Sequence, residues 1–178
     1  MKWGNSATRW GLASRILHWF MAIAILFMFC LGITMINMRL SPEKLEMFMV
    51  HKSTGMLLLL VVTIRVLWRI INPPPKFPTF ISRNQQQMVR LGQMLMYILL
   101  FCIPISGWVI NSAANFPLHW FGLFQIPAIT EPNIAVEEIA KTVHFTLICI
   151  LGVLILGHIA AALHHHFVLK NDVLRRML

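Results

Sequence analysis

Four apolar stretches, each long enough to cross a lipid bilayer, constrain this 178-residue chain more than any other feature. A spanning helix needs about 20 mostly apolar residues. Such stretches lie near residues 15–36, 51–71, 90–111 and 141–166. Lipid cannot satisfy the hydrogen bonds of an open sheet edge, so the chain must cross as helices. The sequence therefore predicts an all-α protein with a single membrane domain, residues 1–178, folded as a four-helix transmembrane bundle.

The composition supports a membrane protein. Only 12% of the residues are charged, whereas a soluble domain carries about 25%. The three cysteines fall in three different apolar stretches, which argues against a disulfide framework. We interpret them as small apolar filler.

Basic residues are divided unevenly between the two sides of the predicted bundle. Eleven lie on the side of the two chain termini, and four (Arg39, Lys44, Lys52 and Lys141) lie on the other side. An excess of lysine and arginine marks the cytoplasmic side of a membrane. We therefore predict that both termini are cytoplasmic. The net charge of +9 is then mostly a topology signal, and we expect no binding to nucleic acid.

The outer loop, residues 112–140, is the longest predicted connection. Its segment Phe116–Phe124 includes Trp120 and Phe121, and such aromatic residues usually anchor a protein at the membrane interface. We predict a short interfacial helix in this segment. His119 lies within it, and the sequence assigns it no role.

Four histidines lie inside the predicted spans, where ionisable residues are functional candidates by default. The predicted topology places His18 and His158 toward the inner side, and His51 and His144 toward the outer side. The two histidines of the fourth span are fourteen residues apart, which is about 21 Å along a helix and nearly the same face. We therefore predict two facing pairs, His18 with His158 and His51 with His144.

Two imidazoles that face each other in a bundle core suit the iron of a haem. The chain has no Cys-x-x-Cys-His motif, so we predict two haem b groups rather than covalently attached haem. One alternative is that these are ordinary buried histidines bonded to backbone carbonyls, which explains one histidine better than four that pair by depth. A zinc site is another alternative, but zinc needs three or four ligands at one level.

Basic residues near the predicted pairs are candidates to bind haem propionates or another anion. At the inner haem they are Arg15, Arg65 and Arg69, and at the outer haem they are Lys52 and Lys141. Arg65 follows His51 by fourteen residues, which places it near the inner haem on a similar helix face. The alternative is that these side chains extend to lipid headgroups, and for Arg69 and Lys141 this alternative is at least as good.

A second cluster of histidines lies at the inner end of the fourth span, at the membrane interface. His165 is two turns after His158, so it is the alternative inner ligand. We rank it lower because it lies beyond the predicted depth of His18. The sequence assigns no role to His164 or His166.

These motifs resemble those of the bacterial four-helix cytochrome b561 proteins, small di-haem cytochromes of the inner membrane. The resemblance covers nearly the whole chain. Before the third span it rests on Arg15–Trp19, His51–Gly55, Arg65–Arg69 and Pro73–Pro75. In and after the fourth span it rests on Val143–Phe145, Gly157–His158, His164–Phe167 and Asp172–Met177. The axial ligands of that family fall on His18, His51, His144 and His158.

The resemblance implies electron exchange with ubiquinone and a multi-pass location in the bacterial inner membrane. One type of member is a superoxide oxidase, so the leading prediction is a superoxide:ubiquinone oxidoreductase that takes electrons at the outer side. The alternative is a cytochrome b subunit that relays electrons between the quinone pool and another redox protein, docked on the outer segment 112–138. A third class, a structural membrane protein without a cofactor, would be colourless when purified. We assign no catalytic acid or base, and the motifs do not place the quinone site.

Overall fold

The computed structural model describes residues 2–178 and contains four long helices. They are α1 (Leu12–Asn37), α2 (Pro42–Ile71), α3 (Arg83–Ala113) and α4 (Ile134–Leu163), and α4 continues into a π-helical turn, His164–Val168. All four are long and apolar enough to cross a membrane. The predicted all-α transmembrane bundle is confirmed.

Polar caps determine where the helices begin, and they extend three of the helices well beyond the predicted spans. Ser41 caps α2 by accepting a hydrogen bond from the backbone N–H of Lys44, and Pro42 occupies the first turn. Ser82 and Gln85 form a reciprocal capping box at the start of α3. Asn133 caps α4 in a similar way. Each helix therefore begins in the polar region outside its apolar stretch.

Helix packing follows the order of the chain. α1 packs against α2, α2 against α3, and α3 against α4. The buried core of the first three helices centres on Met21, Leu58, Val61 and Val62. Outward-facing apolar side chains remain exposed, for example Ile23 at 68% and Val153 at 71%. In water this exposure would be costly, whereas in a bilayer these faces contact lipid.

A two-stranded hairpin stands where the sequence predicted a short interfacial helix, so that prediction is wrong. Strands β1 (Leu118–Trp120) and β2 (Phe124–Ile126) pair antiparallel, with Trp120 opposite Phe124. Phe121 and Gly122 have φ values of 49° and 76°, which is the geometry of a tight hairpin turn and is incompatible with a helix. The hairpin packs against α2 at Ser53, whose Oγ donates to the carbonyl of His119 and accepts from the N–H of Phe121.

The C-terminal segment folds back on the opposite end of the bundle. Trp19 donates its indole N–H to the carbonyl of Met177 at 3.0 Å, and Arg176 donates to the carbonyl of Lys76 at 3.1 Å. Arg176 also pairs with Asp172 at 2.9 Å, which lowers the pKa of that carboxyl group. We call this end, which also holds the N-terminus, the terminal end, and the other end the hairpin end.

Candidate cofactor site

The structure brings the four intramembrane histidines together as two facing pairs. The ring centroids of His18 and His158 are 6.2 Å apart at the terminal end, and those of His51 and His144 are 6.5 Å apart at the hairpin end. The rings in a pair are too far apart to touch. Two collinear metal–nitrogen bonds of about 2.1 Å, with ring radii of about 1.2 Å, would separate two such centroids by about 6.5 Å. Both pairs therefore have the spacing of imidazoles that share one metal ion between them.

The bundle leaves room for a flat group at these two levels. Within residues 2–178, α4 is not closely packed against α1 or α2, although its histidines face histidines on both. His158 is exposed despite its position facing the other helices. Between the two levels, a Cβ atom on Gly152 of α4 would lie 3.7 Å from the Phe29 ring of α1, so the bundle is narrow there. The approach of Gly152 to Phe29 therefore lies between the two histidine pairs.

His144 is held in a defined orientation by α3. Its Nδ1 lies 3.0 Å from the carbonyl oxygen of Ile103 and 2.8 Å from Ser106 Oγ. A carbonyl can only accept, so Nδ1 carries the hydrogen and Nε2 is free to bind a metal. Gly107 lets the ring approach, because a Cβ atom there would lie 3.3 Å from Cε1 of His144.

The partner of His144 is supported differently. Nδ1 of His51 is buried and has no hydrogen-bond partner in the described part of the chain. A Cβ atom on Gly32 of α1 would lie 4.0 Å from Cε1 of His51, which is ordinary van der Waals contact, so α1 passes close to the ring. The next residue but one, Ser53, holds the hairpin. The hairpin is thus attached to α2 at the level of the His51–His144 pair.

Arg65 is the cation nearest to the His18–His158 pair. Its Nη2 lies 3.2 Å from Nδ1 of His18, and its Nε donates to the hydroxyl of Tyr97 at 3.0 Å. Its Nη1 is buried and unpartnered, and no carboxylate pairs with it among residues 2–178. A buried guanidinium without an anion is costly. The site thus offers a charged donor to an acidic group that the described residues do not supply.

The other predicted cations lie in different environments. Arg15 is half-buried, with an unpartnered Nε. Arg69 donates to Gln93 at 2.9 Å and lies against the ring of Tyr97, on the side of α2 that faces α3. Lys52 is half-buried beside the Phe116 ring, whereas Lys141 is exposed.

Two acidic residues already neutralise Lys141. Its Nζ lies 2.7 Å from Glu137 and 2.8 Å from Glu138. His165, the alternative inner ligand, does not face His18, and its Nδ1 instead lies 2.9 Å from the side-chain amide of Asn171. Lys141 and His165 therefore have alternative partners within the chain, as Arg69 has in Gln93.

Sequence reasoning missed the residues that support the site. Ser106 and Gly107 follow Pro104 in the third span, and this cluster of helix-perturbing residues was the available signal. Tyr97, the only tyrosine of the chain, was a second signal, since a hydroxyl in a span needs a partner. Nothing in the sequence indicated that the Ile103 carbonyl receives His144.

Four membrane-crossing helices with facing histidine pairs at both ends define the class of membrane cytochromes. Comparison with known proteins agrees: the family model described as prokaryotic cytochrome b561 matches residues 9–178. The chain belongs to the prokaryotic cytochrome b561 family, whose membership implies haem b. It is 38% identical to cytochrome b561 homolog 2 of Escherichia coli K12, over 100% of this chain and 95% of that protein. It is also 26% identical to the probable superoxide oxidase CybB of Yersinia pestis, over 91% of each chain.

Proposed function

We propose that this protein is a di-haem b cytochrome that transfers electrons from superoxide at the outer side of the bacterial inner membrane to ubiquinone. Two superoxide anions each give up one electron and become O2. One ubiquinone accepts the two electrons and two protons and becomes ubiquinol. The observation that carries the proposal is the presence of two histidine pairs, spaced 6.2 and 6.5 Å, at opposite ends of one bundle. The similarity to a probable superoxide oxidase supports the choice of donor.

The chain's own residues would hold one haem b at each end. His18 and His158 would hold the haem iron at the terminal end, and His51 and His144 would hold it at the hairpin end. Haem b supplies one-electron oxidation and reduction at iron. Ser106 and the carbonyl of Ile103 keep His144 in the ligating tautomer.

Arg65 is the leading propionate-binding residue, because its buried Nη1 lacks a partner in the part of the chain that the structure describes. An arginine can bind a carboxylate through two parallel N–H groups. Arg15 is a second candidate, because its Nε is likewise buried and unpartnered. Arg69 is a weaker one, because Gln93 and Tyr97 already occupy it.

We propose that the terminal end faces the cytoplasm. Eleven of the fifteen basic residues lie at the terminal end, in the two chain ends, the loop 72–82 and the adjoining turns of the helices, as the positive-inside rule requires. The hairpin end then faces outward, toward the compartment from which superoxide would arrive. This direction places the His51–His144 pair at the electron-entry side and the His18–His158 pair near the cytoplasmic side.

Lys52 is the best candidate to attract superoxide. It directly follows His51 and is half-buried next to Phe116, and no carboxylate pairs with it in the described residues. A cation at the mouth of a low-dielectric site raises the local concentration of an anion. Lys141 is a poor candidate, since Glu137 and Glu138 offset its charge.

The experiment begins with a haem count and a reduced-minus-oxidised spectrum of the purified protein. We expect two haems per chain, one fewer after His51→Ala or His18→Ala, and no loss after His119→Ala, an exposed histidine on the hairpin. Superoxide should then reduce the haems in stopped flow, and ubiquinone-1 should reoxidise them. If superoxide does not reduce the haems of a protein that holds two haems, superoxide is not the electron donor.

A second candidate function is an electron relay to another redox protein. The tip of the hairpin favours it, because Leu123 is 74% exposed and Phe124 is 55% exposed at the hairpin end. Such an apolar tip suits a protein contact or the membrane interface. A stable partner that copurifies with the wild-type protein in mild detergent, but not with the Leu123→Ser variant, would favour the relay. Recovery of the same partner with both the wild type and the variant would count against it.

A further inference from the structure

A cleft of about 540 Å³ lies between α2 and α3 at the terminal end. This volume falls in the range of small-molecule sites, about 300–1,000 Å³. The residues of the cleft that matter most are Arg69, Gln93, Met94, Tyr97, Ile98 and Phe101. Polar donors and aromatic rings thus meet in one recess, and exposed apolar side chains border it.

We propose that this cleft binds the ring of the quinone, an inference that rests on the proposed function. A quinone ring is flat and apolar and carries two carbonyl groups that accept hydrogen bonds. Gln93 accepts from Arg69 through its side-chain oxygen, so its amide N–H groups remain as donors. The rings of Tyr97 and Phe101 supply flat contact surface. Met94 and Ile98, which are exposed at 53% and 49%, border the path by which the isoprenoid tail would reach the lipid.

The cleft is connected to the His18–His158 pair. Tyr97 lines the cleft, and its hydroxyl accepts from Arg65 at 3.0 Å. Arg65 in turn contacts Nδ1 of His18 at 3.2 Å. Two hydrogen bonds therefore link the wall of the cleft to a proposed haem ligand.

The charge of the cleft also suits reduction of a quinone. In the proposed reaction the quinone receives two electrons, one at a time, and two protons from water at the cytoplasmic face. Its two carbonyl groups then become two hydroxyl groups. Arg69, which has no carboxylate partner in residues 2–178, would stabilise negative charge that develops on a quinone oxygen.

The test combines photolabelling with haem reoxidation in the haem-loaded protein. An azido-ubiquinone should label the segment Arg90–Phe101, and excess ubiquinone-1 should suppress that labelling. Gln93→Leu removes a hydrogen-bond donor, and Met94→Trp fills the mouth of the cleft. Gln93→Leu should slow reoxidation of reduced haem by ubiquinone-1 about fivefold, the effect of one lost hydrogen bond. Met94→Trp should slow it at least as much, because it excludes the ring from the cleft. Gln87→Leu is the matched control, because Gln87 is exposed on the same helix.

The outcomes separate this inference from the proposed function. If ubiquinone-1 does not reoxidise the wild-type haems at all, quinone is not the acceptor and the proposed function fails. If it reoxidises them, but Gln93→Leu and Met94→Trp match Gln87→Leu at unchanged haem content, only the cleft assignment fails. Labelling that an anionic phospholipid suppresses and ubiquinone-1 does not would assign the cleft to a lipid and overturn the inference.

Discussion

Arg65 should set the reduction potential of the haem proposed between His18 and His158. Its Nη2 lies 3.2 Å from Nδ1 of His18, and the midpoint between the two rings is 3.1 Å from each centroid, half of 6.2 Å. The guanidinium is therefore about 7 Å from that midpoint, and at an effective dielectric constant of about 20 its charge contributes about 2.4 kcal/mol there. This energy corresponds to about 100 mV. A positive charge favours the reduced state, so Arg65→Leu should lower the potential by up to that amount.

A redox titration followed at the haem absorption bands measures both potentials in one sample. We expect the potential of the other haem to stay nearly unchanged, and Arg65→Lys to restore most of the shift, because it retains the charge. Tyr97→Phe removes the hydrogen-bond partner of Arg65 Nε and keeps the charge of Arg65, so it tests whether Arg65 acts only by holding the structure in place. The control is Arg83→Leu, which removes an exposed arginine at the start of α3. A shift below about 20 mV in Arg65→Leu with both haems retained would refute the electrostatic reasoning.

Three other perturbations test the hairpin end. Lys52→Gln should slow haem reduction by superoxide about tenfold at low salt, an effect that added salt reduces, whereas Lys141→Gln should change it little; equal slowing in both variants would contradict this. Gly107→Val should crowd His144 at a cost of about 1–3 kcal/mol and lower the haem count toward one, so a count of two would contradict the close approach. Ser53→Ala should remove the two hydrogen bonds of the hairpin, with a loss of about 1–2 kcal/mol, and a thermal unfolding midpoint equal to wild type would refute its role.

The fold could be predicted from the sequence because it is determined mainly by apolar stretches that are continuous in the chain. Each span is recognised from a continuous apolar stretch, and its depth follows from the direction of the chain. Depth and helical periodicity alone predicted which histidines meet, and the structure places His18 opposite His158 and His51 opposite His144. Their role as haem ligands stays a prediction.

The remaining features depend on contacts that span the chain or on backbone geometry. The acceptor for His144 is a main-chain carbonyl on α3, and a carbonyl has no sequence signature. The hairpin was missed because the aromatic content of residues 116–124 was weighed above Gly122, which favours a turn. The pairing of Lys141 with Glu137 is a helical i, i+4 contact, and its spacing was visible in the sequence.

The packing order of the helices has a consequence for biogenesis. Because α4 packs against α3 but not closely against α1 or α2, the first three helices can associate as they leave the ribosome, before α4 is added. In the proposed function, haem held between the facing histidines would then join α4 to α1 and α2. We therefore expect cells starved of haem precursors to accumulate chains whose final third is selectively cut by membrane proteases, and supplementation with 5-aminolevulinate to restore the intact product.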